Sequence, residues 1–151
     1  LFWDEPQPNA RCLGFGRREY TAKLRNVPFY ANWVEACERT EVTIHGVRIL
    51  SPTFCESKWP FGGVVGHWIV DFGEDECLAY WGKISDKARD DPHTNRFRAQ
   101  LQGVKKGEDW QALCSTTPAN IHGISIPKPS FCENKGFWGV HATWDLEDKD
   151  C

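Results

Sequence analysis

The sequence predicts an α+β fold, mainly antiparallel sheet with short helices, arranged as two pseudo-two-fold, disulfide-stapled repeats that share one core. Three observations predict it: a stretch that recurs without a gap, apolar residues at every second position, and cysteines spaced alike in both copies. Asn32 to Cys55 reads NWVEACERTEVTIHGVRILSPTFC, and Asp109 to Cys132 reads DWQALCSTTPANIHGISIPKPSFC. Trp33, Cys37, Thr40, Ile44, His45 and Gly46 return as Trp110, Cys114, Thr117, Ile121, His122 and Gly123. Ile49, Pro52, Phe54 and Cys55 return as Ile126, Pro129, Phe131 and Cys132 at the same offset. Chance would match only about one position in fifteen to twenty, so an internal duplication is the expectation.

The match extends outward, from Tyr20, Ala22 and Leu24 answered by Phe97, Ala99 and Leu101, to Gly63, Val64 and Trp68 answered by Gly139, Val140 and Trp144. The reading is a single domain of four parts: an N-terminal arm 1–16, repeat unit 17–77, connector 78–94 and repeat unit 95–151. A unit of about sixty residues buries too little surface to be comfortable alone, which favours packing one on the other together with disulfides.

Each element has its own signal. Arg18 to Arg25 sets Tyr20, Ala22 and Leu24 against Glu19, Thr21, Lys23 and Arg25, the period of a half-buried strand, and Arg96 to Gln102 does the same. Asn32 and Asp109 stand where a helix N-cap belongs, their side-chain oxygens placed to accept first-turn N–H groups. Trp33 with Cys37, and Trp110 with Cys114, lie four apart and share a helix face. These helices are short, ending by Thr40 and by Thr117-Pro118. The Ile-His-Gly segments open extended stretches, Thr43 to Leu50 and Asn120 to Ile126, whose glycine marks a bulge or tight bend. The longest strands follow, with Val64, Gly66, Trp68 and Val70 on one face in the first unit and Val140, Ala142, Trp144 and Leu146 in the second. Each unit thus reads strand, helix, strand, strand.

Seven cysteines without a CxxC pair exclude zinc-ribbon and thioredoxin readings and point to disulfides outside the cytosol. Equal spacing predicts Cys37–Cys55 and Cys114–Cys132, each worth roughly 3 kcal/mol. Cys12 is left to pair with Cys77 or with Cys151. The chain starts at Leu1, lacks methionine and keeps no apolar h-region, so a processed, secreted, extracellular protein is expected. A formal charge of −3 argues against nucleic acid as a partner. No apolar run has membrane-spanning length, and no cofactor or metal is expected.

The histidines His45 and His122 are the most suggestive titratable pair, suited to general acid–base work or metal binding. A buried structural role, with ring nitrogens on backbone carbonyls, accounts for both copies more simply. Asp71 and Glu147 are repeat-related carboxylates that could share a proton or flank a glycosidic bond, with a solvated outer face as the plainer account. Glu56 and Glu133 fit turn caps. Of eight tryptophans, Trp33, Trp68, Trp110 and Trp144 are matched in pairs and assigned to the core. Trp3, Trp59, Trp81 and Trp138 lack identical mates and are the candidates for ligand binding, since an exposed indole stacks on a sugar ring or anchors an interface.

The pattern REYTAKL, NWVEAC, IHG, SPTFCE and GVVGHWIVDF, repeated in weaker form, resembles small secreted cysteine-rich duplicated proteins of mushroom-forming fungi. The resemblance covers most of the chain after Cys12; it implies secretion and a repeat but brings no activity with it. Members carry a cysteine near Ala88 or Arg89, and its absence here leaves the partner of Cys12 open. The expected function is a secreted, non-catalytic binding or effector-type protein, taking glycan, cell wall or a protein partner through exposed tryptophans. The alternative is a small secreted hydrolase with a His/carboxylate site at the interface of the two repeats. A third class, a structural or inhibitor protein acting through the Leu1 to Arg11 arm, requires that arm to be ordered and docked on a partner chain.

Overall fold

The computed structural model describes residues 1–58, 62–86 and 94–147, and only the backbone of 86, 94, 95 and 147. It is mostly antiparallel sheet with two short helices and three disulfides. In order come β1 (Phe2–Trp3), β2 (Gln7–Gly14), β3 (Arg17–Arg25), α1 (Trp33–Arg39), β4 (Val42–Ile44), β5 (Val47–Ile49), β6 (Phe54–Ser57) and β7 (Val64–Val70). There follow β8 (Tyr80–Trp81), β9 (Ser85–Asp86), β10 (Thr94–Gln102), α2 (Trp110–Cys114), β11 (Ala119–Ile121), β12 (Ile124–Ile126), β13 (Phe131–Asn134) and β14 (Val140–Glu147). The chain divides into two compact units, Leu1–Ala10 with Arg17–Gly73, and Arg11–Gly16 with Glu74–Cys151.

In the first unit a sheet runs β1-β3-β7-β6, with β2 also on β3. The alternation of β3 puts Arg18, Tyr20, Ala22 and Leu24 inside, and β7 contributes Val64, Trp68 and Val70. The arm docks through Trp3, which pairs with Leu24 across β1 and β3 and whose ring meets Trp68 edge-on at 4.7 Å. Its indole N–H donates to the Thr40 carbonyl, 3.0 Å away. Arg25 donates to both carboxylate oxygens of Asp4 at 2.9 Å, fixing the exit from β1.

That bond to Arg25 holds the Asp4 carboxyl below its ordinary range. Lys58, and after it His67, lower Glu56 in the same way. A lowered native value means that the unfolded chain binds the proton more readily. The stabilisation is therefore complete above the ordinary carboxylate range and is lost as pH falls through the lowered native values. Urea midpoints are expected to fall on acidification, and Asp4→Asn is expected to remove its share of that decline.

In the second unit the sheet runs β8-β10-β14-β13, with β9 also on β10. Residues 80–86, within the span read as a connector, thus supply two strands. Trp81 pairs with Leu101, meets Trp144 edge-on at 4.7 Å, and donates its indole N–H to the Thr117 carbonyl at 3.2 Å. The interior gathers Phe97, Ala99, Leu101, Leu113, Ile121, Ala142 and Trp144. Arg11–Gly16 belongs here: Cys12 is bonded to Cys77, and its N–H donates to the Glu108 carboxylate at 2.7 Å. Of the two partners open to Cys12, the structure takes Cys77; Cys151 lies outside the described residues.

Both helices begin as predicted. The Asn32 side chain accepts from the Glu35 N–H and the Asp109 side chain from the Ala112 N–H, each at 3.1 Å. Helices of seven and five residues do not hold alone in water. The bonds Cys37–Cys55 and Cys114–Cys132 fasten them to β6 and β13. Trp33 and Trp110, assigned to the core, are only half-buried at the helix starts. The extended stretches behind the helices are hairpins, β4–β5 and β11–β12, each closed by two residues. His45 and His122 take φ of 52° and 53°, followed by Gly46 and Gly123 at 74° and 80°. Positive φ at both positions is the type I′ hairpin turn, which glycine supplies freely and histidine tolerates better than most side chains. Backbone geometry therefore accounts for the repeated Ile-His-Gly.

Candidate ligand-binding groove

The outward positions of the second unit's sheet carry its polar side chains. On β10, Phe97, Ala99 and Leu101 point inward, so Arg96, Arg98, Gln100 and Gln102 project the other way. On β14, Ala142 and Trp144 are buried, and His141 stands opposite Gln100. The chain between β8 and β9 lies beside β10, with the Gly82 N–H on the Gln100 carbonyl at 2.9 Å. These segments enclose an open groove of about 430 Å³, lined by Lys83, Ser85, Arg98, Gln100, Lys135 and His141 among others.

A turn of 3₁₀ helix, Gly136–Trp138, follows directly on the groove residue Lys135. The Trp138 carbonyl accepts from His141 Nε2 at 2.7 Å and from Gln100 Nε2 at 3.3 Å, so two groove residues fix its backbone. A carbonyl only accepts, which sets the His141 proton on Nε2. Gly139 follows at φ 83°, where a Cβ would collide with the Gln100 side chain. The turn is pinned while its rings stay in water: Phe137 is 95% exposed and Trp138 72%, with ring centroids 5.5 Å apart.

The other three tryptophans proposed for ligand binding fare differently. Trp3 and Trp81 are half-buried against Trp68 and Trp144 with their N–H groups bonded, and they occupy matching places in their units. Trp59 lies outside the described residues. An aromatic pair that the repeat did not single out, Phe29 and Tyr30, is exposed in the first unit with centroids 5.6 Å apart. Its signal was available: a Pro-Phe-Tyr run between a strand and a helix cap has no inward face to occupy.

His45 and His122 are exposed turn residues, not the buried rings of the structural reading. His45 Nε2 lies 3.1 Å from the Tyr20 hydroxyl, and its ring meets Phe72 edge-on; His122 meets Phe97, which carries no hydroxyl. Asp71 is exposed just past β7, and the side chain of Glu147 lies outside the described atoms. Glu56 does not cap a turn: it faces His67.

A histidine between carboxylates does occur, at a position with no sequence motif. His67 Nδ1 is 2.9 Å from Glu19, Nε2 is 3.2 Å from Glu56, and Lys58 is 3.0 Å from the same Glu56 oxygen. The Phe54 ring stacks on His67 at 4.2 Å and 10°. Both ring nitrogens and one face are thus engaged, leaving no free atom to take a proton from a substrate. The cluster reads as a polar clasp across β3, β7 and β6.

Among the described residues, no group of three or more His, Cys, Asp or Glu could hold a metal ion, and no helix is long and apolar enough to cross a membrane. Comparison with protein-family models, curated proteins and solved structures returns no match.

Proposed function

We propose that the protein is a secreted, non-catalytic binding module that takes glycan or cell-wall carbohydrate along the groove of the second unit. The observation that carries this reading is Trp138, whose carbonyl is held by the groove residues Gln100 and His141 while its indole stands in solvent. A rigid exposed indole offers a flat apolar face to the C–H side of a sugar at small entropic cost. Amide, hydroxyl and imidazole groups beside it supply hydrogen bonds that orient the ring. Three disulfides in so small a chain favour an oxidising compartment. The matched order of elements in the two units, together with the gapless recurrence in sequence, supports descent from one duplicated segment. The sequences then diverged: the second copy reads GFWG where the first reads WPFGG.

Trp138→Ala is expected to weaken binding to polysaccharide about tenfold or more, the loss typical of an exposed aromatic anchor. Trp81→Phe should leave binding unchanged, because Trp81 serves the interior. Glycan arrays and cell-wall pull-downs on both variants provide the measurement. Equal binding by wild type and Trp138→Ala, or no binding to any polysaccharide, contradicts the reading.

A further inference from the structure

Charge in the groove is one-sided. Lys83, Arg98 and Lys135 line it, and no aspartate or glutamate does. Among the described residues none forms an ion pair with these three cations, although acids elsewhere are paired, as in Asp145 with Arg96 and Glu56 with Lys58. Arg98 Nε is buried with no acceptor at all. On that sheet face Asp145, two residues along β14 from the cross-strand neighbour of Arg98, is engaged by Arg96, and Glu133 stands cross-strand from His141 on the edge strand β13. The floor around Arg98 therefore remains positive.

We infer that the groove selects an anionic sugar chain. An acid group of the sugar accepts from Arg98 between Lys83 and Lys135, and a neighbouring ring lies on Trp138. This rests on the glycan reading above and adds the charge of the ligand. Widely spaced acid groups suit the site better than a nucleic acid does. Three cations in one groove, on a chain of net charge −3, make a local contact and not a polyanion track.

The test uses ligand pairs that differ only in charge: oligogalacturonate against its methyl ester, and dextran sulfate against dextran. Calorimetry is expected to show the acidic member binding about tenfold tighter or more, with the preference shrinking as salt rises. Carboxylate and sulfate are separated by which pair shows the larger preference. A Lys83→Gln, Lys135→Gln variant, altered only in loop residues, should lose most of the preference for the acidic member. Arg98→Gln should abolish the preference. If neutral and acidic members bind equally, or the variants keep the preference, anion selection is wrong and the glycan reading stands. If no member of either pair binds, both are wrong.

Discussion

Trp144→Ala is expected to cost about 3–5 kcal/mol, a large share of the total stability of a domain this size. Trp144 is 1% exposed and packed by Trp81 on one side and the β10 apolar row on another, so its removal opens a void that neighbours cannot refill. Trp68→Ala in the first unit should behave alike, since Trp68 is also 1% exposed and meets Trp3 at the same distance and angle. The phenylalanine variants separate volume from polarity. Both buried indole N–H groups lack an acceptor, and an orphan donor costs about 1–3 kcal/mol. Trp144→Phe therefore loses some contact but sheds that penalty, and its cost should be well under half that of alanine. Urea midpoints at unchanged slope measure the difference. Loss of less than about 1 kcal/mol on Trp144→Ala would show that the ring is not what the second unit packs around.

Removing the Cys12–Cys77 bond is expected to cost more than removing either of the other two. In the chain-entropy account the gain grows with the loop closed: about 4 kcal/mol for a loop of 65 residues and about 3 for one of 18. Cys12 also places Arg11–Gly16, which is held further by hydrogen bonds such as Phe15 N–H to the Thr116 hydroxyl at 2.8 Å. The double variant Cys12→Ala, Cys77→Ala tests this by urea unfolding beside Cys114→Ala, Cys132→Ala. A smaller loss for the Cys12 pair would contradict the ranking.

Much of this fold was legible because local rules and tertiary packing agree. Period-two alternation gave β3 and β10, and an Asx residue before an amphipathic turn gave both N-caps. Equal spacing gave Cys37–Cys55 and Cys114–Cys132. The Ile-His-Gly turns were half legible: glycine marked the bend, but only φ at His45 and His122 reveals a hairpin. Trp3 and Trp81 looked unmatched because their spacing to the following strand differs by one residue, which hides two equivalent side chains from a fixed offset. The groove was illegible as a site. Lys83, Arg98 and Lys135 are far apart in sequence, and each alone resembles any solvated cation. The exposure of Trp138 was legible, since an aromatic between glycines has no strand or helix face to bury it.

The account stands most directly on the indole N–H resonances of the eight tryptophans, followed by ¹H–¹⁵N correlation spectra during titration with oligogalacturonate. Trp138 is expected to shift in a saturable way, assigned by its loss in Trp138→Phe, while Trp68 and Trp144 stay in place. A titration in which Trp138 does not move, or in which only the interior indoles respond, would contradict it.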